Sequence, residues 1–315
     1  MKIHHTFSKI NIPVQEIRNL IKKKASELGF YSCGIIAATS LDHYKPQFDR
    51  WITNGYQASM KYMERNYSLR FNPSEILPGG KSIICLTHNY YNETNCKVSG
   101  LKIARYAYGK DYHVILKNKM NLLLGYVKEL EGSVKGRVFT DSAPLLERAI
   151  AVEAGLGWIG KNSMLIIPGA GSYFFLSEII VDINLGQDEA FNKNHCGTCT
   201  KCIQACPTKA IVEPGVIDAR KCISYVTIEQ DESDINQEVI DKSPYLFGCD
   251  ICQDVCPWNR FSRPHSEPEF NPLKFNSLYI EDVNYQIDFN KTYAESPLLR
   301  AGFDKLNKIY RIKCK

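Results

Sequence analysis

Twelve cysteines occur among 315 residues, and eight of them crowd into the stretch from Cys196 to Cys256. The run CGTCTKCIQACPTKA, residues 196–210, has the spacing C-x2-C-x2-C-x3-C-P. That pattern is the bacterial ferredoxin signature, in which three closely spaced thiolates wrap three corners of an iron–sulfur cubane. A second run, CDICQDVCPWN, sets Cys249, Cys252 and Cys256 ahead of Pro257 as C-x2-C-x3-C-P. A complete copy would need a cysteine at position 246, where Leu246 stands, and Cys222 in ARKCISY is the only nearby spare. In two-cluster ferredoxins the fourth cysteine of each run serves the other cluster. On that rule one [4Fe–4S] cluster takes Cys196, Cys199, Cys202 and Cys256, and the other takes Cys206, Cys222, Cys249 and Cys252. Structural zinc is the competing use of paired C-x2-C motifs, but a zinc ribbon has no need of the x3-C-P that occurs twice. Cys33, Cys85, Cys96 and Cys314 stand alone and read as buried or incidental thiols.

Upstream, VFTDSAPLLERA places Asp141 between a strand-like and a helix-like segment. One reading is a helix N-cap, with Asp141 or Ser142 accepting the first backbone N–H groups and Pro144 in the first turn. The other is a general acid whose pKa is raised by apolar surroundings, so that it carries a proton near neutral pH. Both fit the local residues. The glycines of GLGWIGKNSMLIIPGAGSYF (155–174) suit close backbone approach to a large ligand. They depart from G-x-G-x-x-G in a strand-to-helix setting, and there is no Walker A sequence, so neither nucleotide fold is expected. RYAYGKDYH (105–113) joins a cation, aromatics and a histidine at what reads as a surface helix onset.

These groups need a scaffold. Apolar Val14, Ile17, Ile21 and Leu28 alternate with charges, which predicts an amphipathic helix closed by Gly29. FYSCGIIAA and KSIICLTHNYY read as strands, the second buried on both faces, and the stretch from Tyr44 to Met63 as helical. YHVILKNKMNLLLGYVKELEG is a long helix ending at Gly132, followed by the strand GRVFTD, the helix APLLERAIAVEAGLG and a β-rich SMLIIPGAGSYFFLSEIIVDI. Helices and strands mix without a βαβ rhythm, so the expected class is α+β. Composition changes near residue 190. The expected division is a catalytic domain over 1–190, a ferredoxin-like module over 191–260 held by metal more than by a core, and a Pro-rich C-terminal extension over 261–315 lying on the surface.

The hydrophobic fraction of 44% and charged fraction of 23% are those of an ordinary globular chain. Net charge is +5, mildly basic and compatible with a nucleic-acid partner. No apolar stretch reaches the roughly 18 residues of a membrane span. The N-terminal residues lack an apolar core followed by a cleavage site. A cytoplasmic monomer is expected.

Taken in order, ARYAYGKDYH (104–113), FTDSAPLLERAIAVEAGLGWIGKN (139–162), GSYFFLSEI (171–179) and the cysteine module through CDICQDVCPWN resemble the epoxyqueuosine reductases over nearly the whole chain. The resemblance implies a cobalamin-dependent oxidoreductase that reduces epoxyqueuosine to queuosine at the wobble position of tRNA. It implies an α/β-type N-terminal domain holding cobalamin with its lower ligand off, fed with electrons by the two clusters. Asp141 matches the family's catalytic acid. Arg70, Ala104, Leu165 and Leu176 fall at positions resembling cobalamin contacts, the last three acting partly through backbone, and Ser224 lines the cofactor from the cluster side. An external donor such as ferredoxin or flavodoxin would charge the first cluster, and the anticodon loop would be splayed to present its base. Lys201, Lys209, Arg220, Lys221, Arg260 and Arg263 around the clusters are candidates for the phosphate-facing surface. Two other readings stand beside this one: a reductive dehalogenase built on the same cofactors, and a ferredoxin-type electron carrier fused to an unrelated domain.

Overall fold

The structure, a computed structural model, describes residues 12–98, 100–273, 289–291 and 293–314. Four strands, β1 (Ser32–Ala37), β2 (Ser82–Asn89), β3 (Gly136–Phe139) and β4 (Phe174–Val181), form one sheet in the order β1-β2-β4-β3. Every pairing in it is antiparallel, so the arrangement is α+β rather than doubly wound. Ile35, Ile84 and Ile179 lie across from one another on one face, and Ile36, Ile83 and Ile180 on the other. The first face is covered by α1 (Val14–Glu27) and α2 (Tyr112–Glu131), through Ile17, Ile21, Leu116, Met120 and Leu123. The second is covered by α3 (Glu147–Glu153) with Ile150 and Ala151. Being sandwiched is why β2 is apolar without alternation. Each fully buried Ile or Leu contributes about 1.5–3 kcal/mol. Asp111 caps α2 by accepting the N–H of His113 at 2.9 Å, and Gly132 ends it at φ +77°.

A second core joins the cysteine module to the rest. Residues Tyr245–Phe247 run parallel to Leu101–Ile103, pairing Tyr245 with Lys102 and Phe247 with Ile103. Leu246 is buried in that strand, packed among Ile103, Val226 and Ile240. The position that would complete a second ferredoxin run is thus taken by a core residue, which is why the pattern breaks there.

Three expectations about elements are corrected. The helix expected from Tyr44 to Met63 is Lys45–Thr53 followed by a separate turn at Lys61–Met63, because Gly55 and Ala58 adopt positive φ between them. The helix expected from residue 143 begins only at Glu147. The stretch after 261, expected on the surface, sends several of its described residues into the two cores. Phe270 enters the first core against His88 and Phe175, and α4 (Phe303–Lys313) puts Leu306 and Ile309 into the second. Its Pro-rich start hides the i, i+3, i+6 spacing of Phe303, Leu306 and Ile309.

The glycine-rich segment meets protein. A Cβ on Gly157 would lie 2.1 Å from the Ile166 carbonyl oxygen. Gly171, at φ +90°, would bring one to 2.3 Å from Asn259 Oδ1. Asn259 cannot yield, since its Oδ1 accepts from Ser172 N at 2.7 Å and its Nδ2 donates to the Gln253 carbonyl at 2.7 Å. Gly171→Ala combines strain with overlap and is expected to lower stability by about 2 kcal/mol or more. Urea unfolding of the reconstituted protein measures it.

Candidate active site

The cysteine runs fold into two neighbouring groups. Cys196, Cys199, Cys202 and Cys256 line one cavity of about 60 Å³ with Lys161, Asn162 and Trp258. Burial pushes the Cys202 and Cys256 thiols up, and the neighbouring sulfurs of the same group push them further. Cys222, Cys249 and Cys252 are likewise pushed up by burial first and then by one another and Cys206. Cys202 also bears on Cys252, so the two groups adjoin. Thiols bracketing a space fit a cluster, whose positive iron core would offset the cost of ionising them.

Upstream segments hold this module in place. Lys161 Nζ donates to the Gly197 carbonyl at 2.7 Å, and Asn162 Nδ2 donates to the Cys252 carbonyl at 3.2 Å. The GKN turn therefore grips both cysteine runs. Arg105 reaches Asp254 Oδ1 at 2.6 Å and Asp250 Oδ2 at 3.2 Å, while its own N–H donates to Asp250 at 2.8 Å. This nearly buried pair ties ARYAYGKDYH to CDICQD. A lone buried charge on either side is strongly destabilising, so each group requires the other.

Asp141 is not a helix cap. It sits in a loop at φ +54°, and α3 starts six residues later behind Leu146, with no side-chain cap. Its carboxylate, half exposed, accepts the Tyr112 hydroxyl at 2.7 Å. His113 Nε2 lies 3.6 Å from Asp141 Oδ2, and Arg300 lies 3.9 Å away. His113 Nδ1 is 2.7 Å from Asp111 Oδ1. Partial desolvation would raise the Asp141 carboxyl, but His113, Tyr112 and Arg300 outweigh it and hold the group below the usual carboxylate range. Burial would lower His113, yet the two carboxylates carry it up to about 9. The expectation that apolar surroundings raise the Asp141 pKa is therefore corrected. In this geometry the aspartate is ionised and its neighbour holds the proton.

A carboxyl pair backs the loop. Glu147 Oε1 accepts the Asp141 N–H at 2.6 Å. Glu178, wholly buried on the α3 face of β4, has the Glu147 carboxyl within hydrogen-bonding reach, a contact that needs a proton on one of the two. Burial and then the Asp141 charge push Glu147 up to about 7. Burial and then Glu147 push Glu178 well above its ordinary value. A carboxyl raised on folding stabilises below its unfolded pKa and loses that contribution as pH climbs. Wild-type stability should thus decline from about pH 4.5 upward through neutrality, and Glu178→Gln should flatten the decline. Thermal unfolding against pH distinguishes the two. The sequence signal was one carboxylate inside the apolar strand FFLSEIIV.

The other candidate residues lie around the same region. Arg70 is buried and donates to the Met63 and Tyr62 carbonyls at 3.0 and 2.6 Å, fixing a loop whose Tyr62 is within electrostatic reach of Asp141, Glu229 and Arg300. The Leu176 carbonyl accepts from Thr140, next to Asp141, and Leu176 packs on the cluster of apolar residues that contains Leu165. The Ser224 N–H points at the Cys222 sulfur. Ala104 is buried, its N–H donating to the Phe247 carbonyl at 2.9 Å, two residues before Cys249. Ala104 and Leu165 are both buried.

Comparison with known proteins identifies the family. A family model described as epoxyqueuosine reductase QueG matches residues 70–142, and one described as a 4Fe-4S double cluster binding domain matches residues 195–259. The epoxyqueuosine reductase of Cyclobacterium marinum is 45% identical over 293 residues, 92% of this chain and 94% of that protein. The Escherichia coli enzyme is 41% identical over 84% of this chain and 70% of its own length. A crystal structure of an epoxyqueuosine reductase with an epoxyqueuosine-modified tRNA-Tyr stem loop has a TM-score of 0.86 at 28% identity, covering 95% of this chain and 81% of that one. The Bacillus subtilis enzyme, solved with its catalytic aspartate loop swung out of the active site, gives 0.85 at 28% identity, with 95% of this chain and 81% of that one covered. With two relatives above 40% identity across more than four-fifths of its length, the chain belongs to the epoxyqueuosine reductase family and is an oxidoreductase with a double [4Fe–4S] domain.

Proposed function

We propose that this protein reduces the epoxide of epoxyqueuosine, at the wobble position of tRNA, to the alkene of queuosine, with Asp141 as the acid and cobalamin as the resident cofactor. The reaction takes up two electrons and two protons and releases water. Cobalamin, when bound, supplies a strongly reducing cobalt centre, chemistry no side chain can provide. The residues fit such a group. His113, the imidazole beside Asp141, is held by Asp111 through Nδ1 and turned to the Asp141 carboxylate through Nε2, so the site would present a bound group with the carboxylate rather than with an imidazole. Arg70, Ala104, Asp141, Leu165, Leu176 and Ser224 would hold it, Ala104, Leu165 and Leu176 partly through backbone.

In this reading Cys206, Cys222, Cys249 and Cys252 carry the inner cluster, beside Ser224. Cys196, Cys199, Cys202 and Cys256 carry the outer one, which receives electrons from a donor such as ferredoxin or flavodoxin. The surface cations Lys201, Lys209, Lys221, Arg260 and Arg263 face the anticodon-loop phosphates. Arg220 contributes less, because its guanidinium already forks onto Asp218 at 2.8 and 2.9 Å. Among the described residues no helix is long and apolar enough to cross a membrane. A cytoplasmic monomer completes the reading, and tRNA and reducing conditions coexist there.

The observation that carries the proposal is the Asp141 loop: a non-glycine residue held at φ +54° with a half-exposed carboxylate fed by Tyr112 and His113. Left-handed backbone at an aspartate costs energy and persists where neighbours enforce it. The test is anaerobic reconstitution with iron, sulfide and cobalamin, then incubation with a reductant and an epoxyqueuosine-bearing stem loop. Nucleoside analysis should find queuosine. Cobalamin bands in the visible spectrum without any conversion of the stem loop would sink the reading. The dehalogenase alternative is not favoured by relatives that match over more than four-fifths of the chain.

A further inference from the structure

The stoichiometry of epoxide reduction raises a question that one carboxyl cannot answer. Opening the ring puts a proton on the epoxide oxygen. Breaking the second carbon–oxygen bond releases that oxygen as water and needs another proton, while the two electrons complete the alkene. A single aspartate delivers one proton per ionisation, and Asp141 sits among donors that keep it charged.

We propose that His113 is the proton relay of the site, passing its Nε2 proton to Asp141 before each of the two deliveries in a turnover and taking a new proton from water between them. The proposal rests on the reading of the chain as an epoxide reductase. Its geometry is a line of three groups. Asp111 Oδ1 accepts from His113 Nδ1 at 2.7 Å, and the same carboxylate accepts the His113 backbone N–H at 2.9 Å, so the ring is clamped at the first turn of α2. That bond fixes the second nitrogen toward Asp141 Oδ2, 3.6 Å away. Tyr112 stacks on the ring with centroids 4.1 Å apart and donates to the same Asp141 oxygen, which sets the two groups in register.

The charges facing the pair are Asp111 at the start of α2, Arg300 from the segment before α4 and Glu147 from α3, whose Oε1 accepts the Asp141 N–H, with Lys117 one turn along α2. Two carboxylates flank the imidazole, so it stays charged through neutrality. Its side chain is 23% exposed, open enough to be reloaded from water after each delivery. A separation of 3.6 Å is too long for a hydrogen bond and short enough to close by a side-chain rotation. Acid–base sites commonly tighten only when substrate is bound. His113 acts through Asp141 and is a positioning and proton-supplying residue rather than one that touches the epoxide.

Two measurements test this. In wild type, turnover should be flat through neutral pH and fall above about 9, where His113 loses its proton. In His113→Gln, turnover at pH 7 should drop about 100-fold and recover about tenfold for each unit of acidification, as Asp141 protonates directly from solvent. A merely structural role predicts an equal loss at every pH, and that result overturns the inference. The second measurement needs no cofactor. Histidine NMR of the cobalamin-free protein should find His113 protonated to about pH 9 in wild type and titrating lower in Asp141→Asn. A wild-type His113 that titrates below pH 7 equally overturns it. Failure of the wild-type enzyme to convert the stem loop instead sinks the reductase reading, so the two failures are distinct.

Discussion

Asp141→Asn is expected to lower conversion of the epoxyqueuosine stem loop by about 10²–10⁴-fold while leaving the fold and cobalamin binding in place. Asparagine is a stringent replacement here. It tolerates the left-handed backbone that the loop imposes at φ +54°. Its amide oxygen can still accept the Tyr112 hydroxyl, and its backbone N–H can still donate to Glu147. What it cannot do is carry and release a proton. Visible spectra with and without cobalamin check that binding survives, and nucleoside analysis under single-turnover conditions reads the chemical step. Full turnover in this variant would reduce Asp141 to a loop-forming residue. Ala at the same position is less informative, because it removes the hydrogen bond and keeps the strained backbone.

The second large effect is on the metal centre. Cys222→Ala should reduce bound iron from about eight to about four atoms per chain, with one cluster lost. Turnover should vanish with it, since in the proposed scheme the lost cluster is the one that feeds the cofactor. Cys222 opens the helix Ile223–Ile228, and the N–H groups of Ser224 and Tyr225 point at its sulfur, offsetting in part the burial that pushes its thiol up. No other free cysteine adjoins that group to replace it: Cys33, Cys85 and Cys96 belong to the sheets and their cores, and Cys314 ends α4. Cys314→Ala serves as the control and should leave iron unchanged. An unaltered iron content in Cys222→Ala would remove Cys222 from the ligand set and leave the out-of-pattern run without its fourth thiol.

Much of the scaffold was legible because it is written in short-range patterns. The long helix α2, the buried strand β2 and the strand β1 all follow from apolar period and from Gly132 as a stop. The failures have a common cause. The helix after Asp141 was drawn four residues too early, because Asp-Ser-Ala-Pro looks like a cap and nothing nearby reports that Glu147 draws the Asp141 N–H away. Gly171 looked like a ligand contact, because a glycine does not say which surface approaches it. That surface is Asn259, 88 residues along the chain. The tail looked superficial because its apolar spacing is meaningful only when a second core lies beneath it.

The ferredoxin runs with which the chain announces itself are set by spacing alone, since a tight loop of thiolates is a local object whose geometry needs only a few neighbouring residues. The sequence by itself determined those runs, the α+β class and the place of Leu246 as the break in the second run. Tertiary structure alone decided why Leu246 breaks it, by burying that strand against Leu101–Ile103. It alone decided that Asp141 faces Tyr112, His113 and Arg300 rather than capping a helix, and that Arg105 and Lys161 grip the cysteine module. Charge state follows from these contacts. Arg300 lies 159 residues from Asp141 in the chain, and a pKa responds to distance in space.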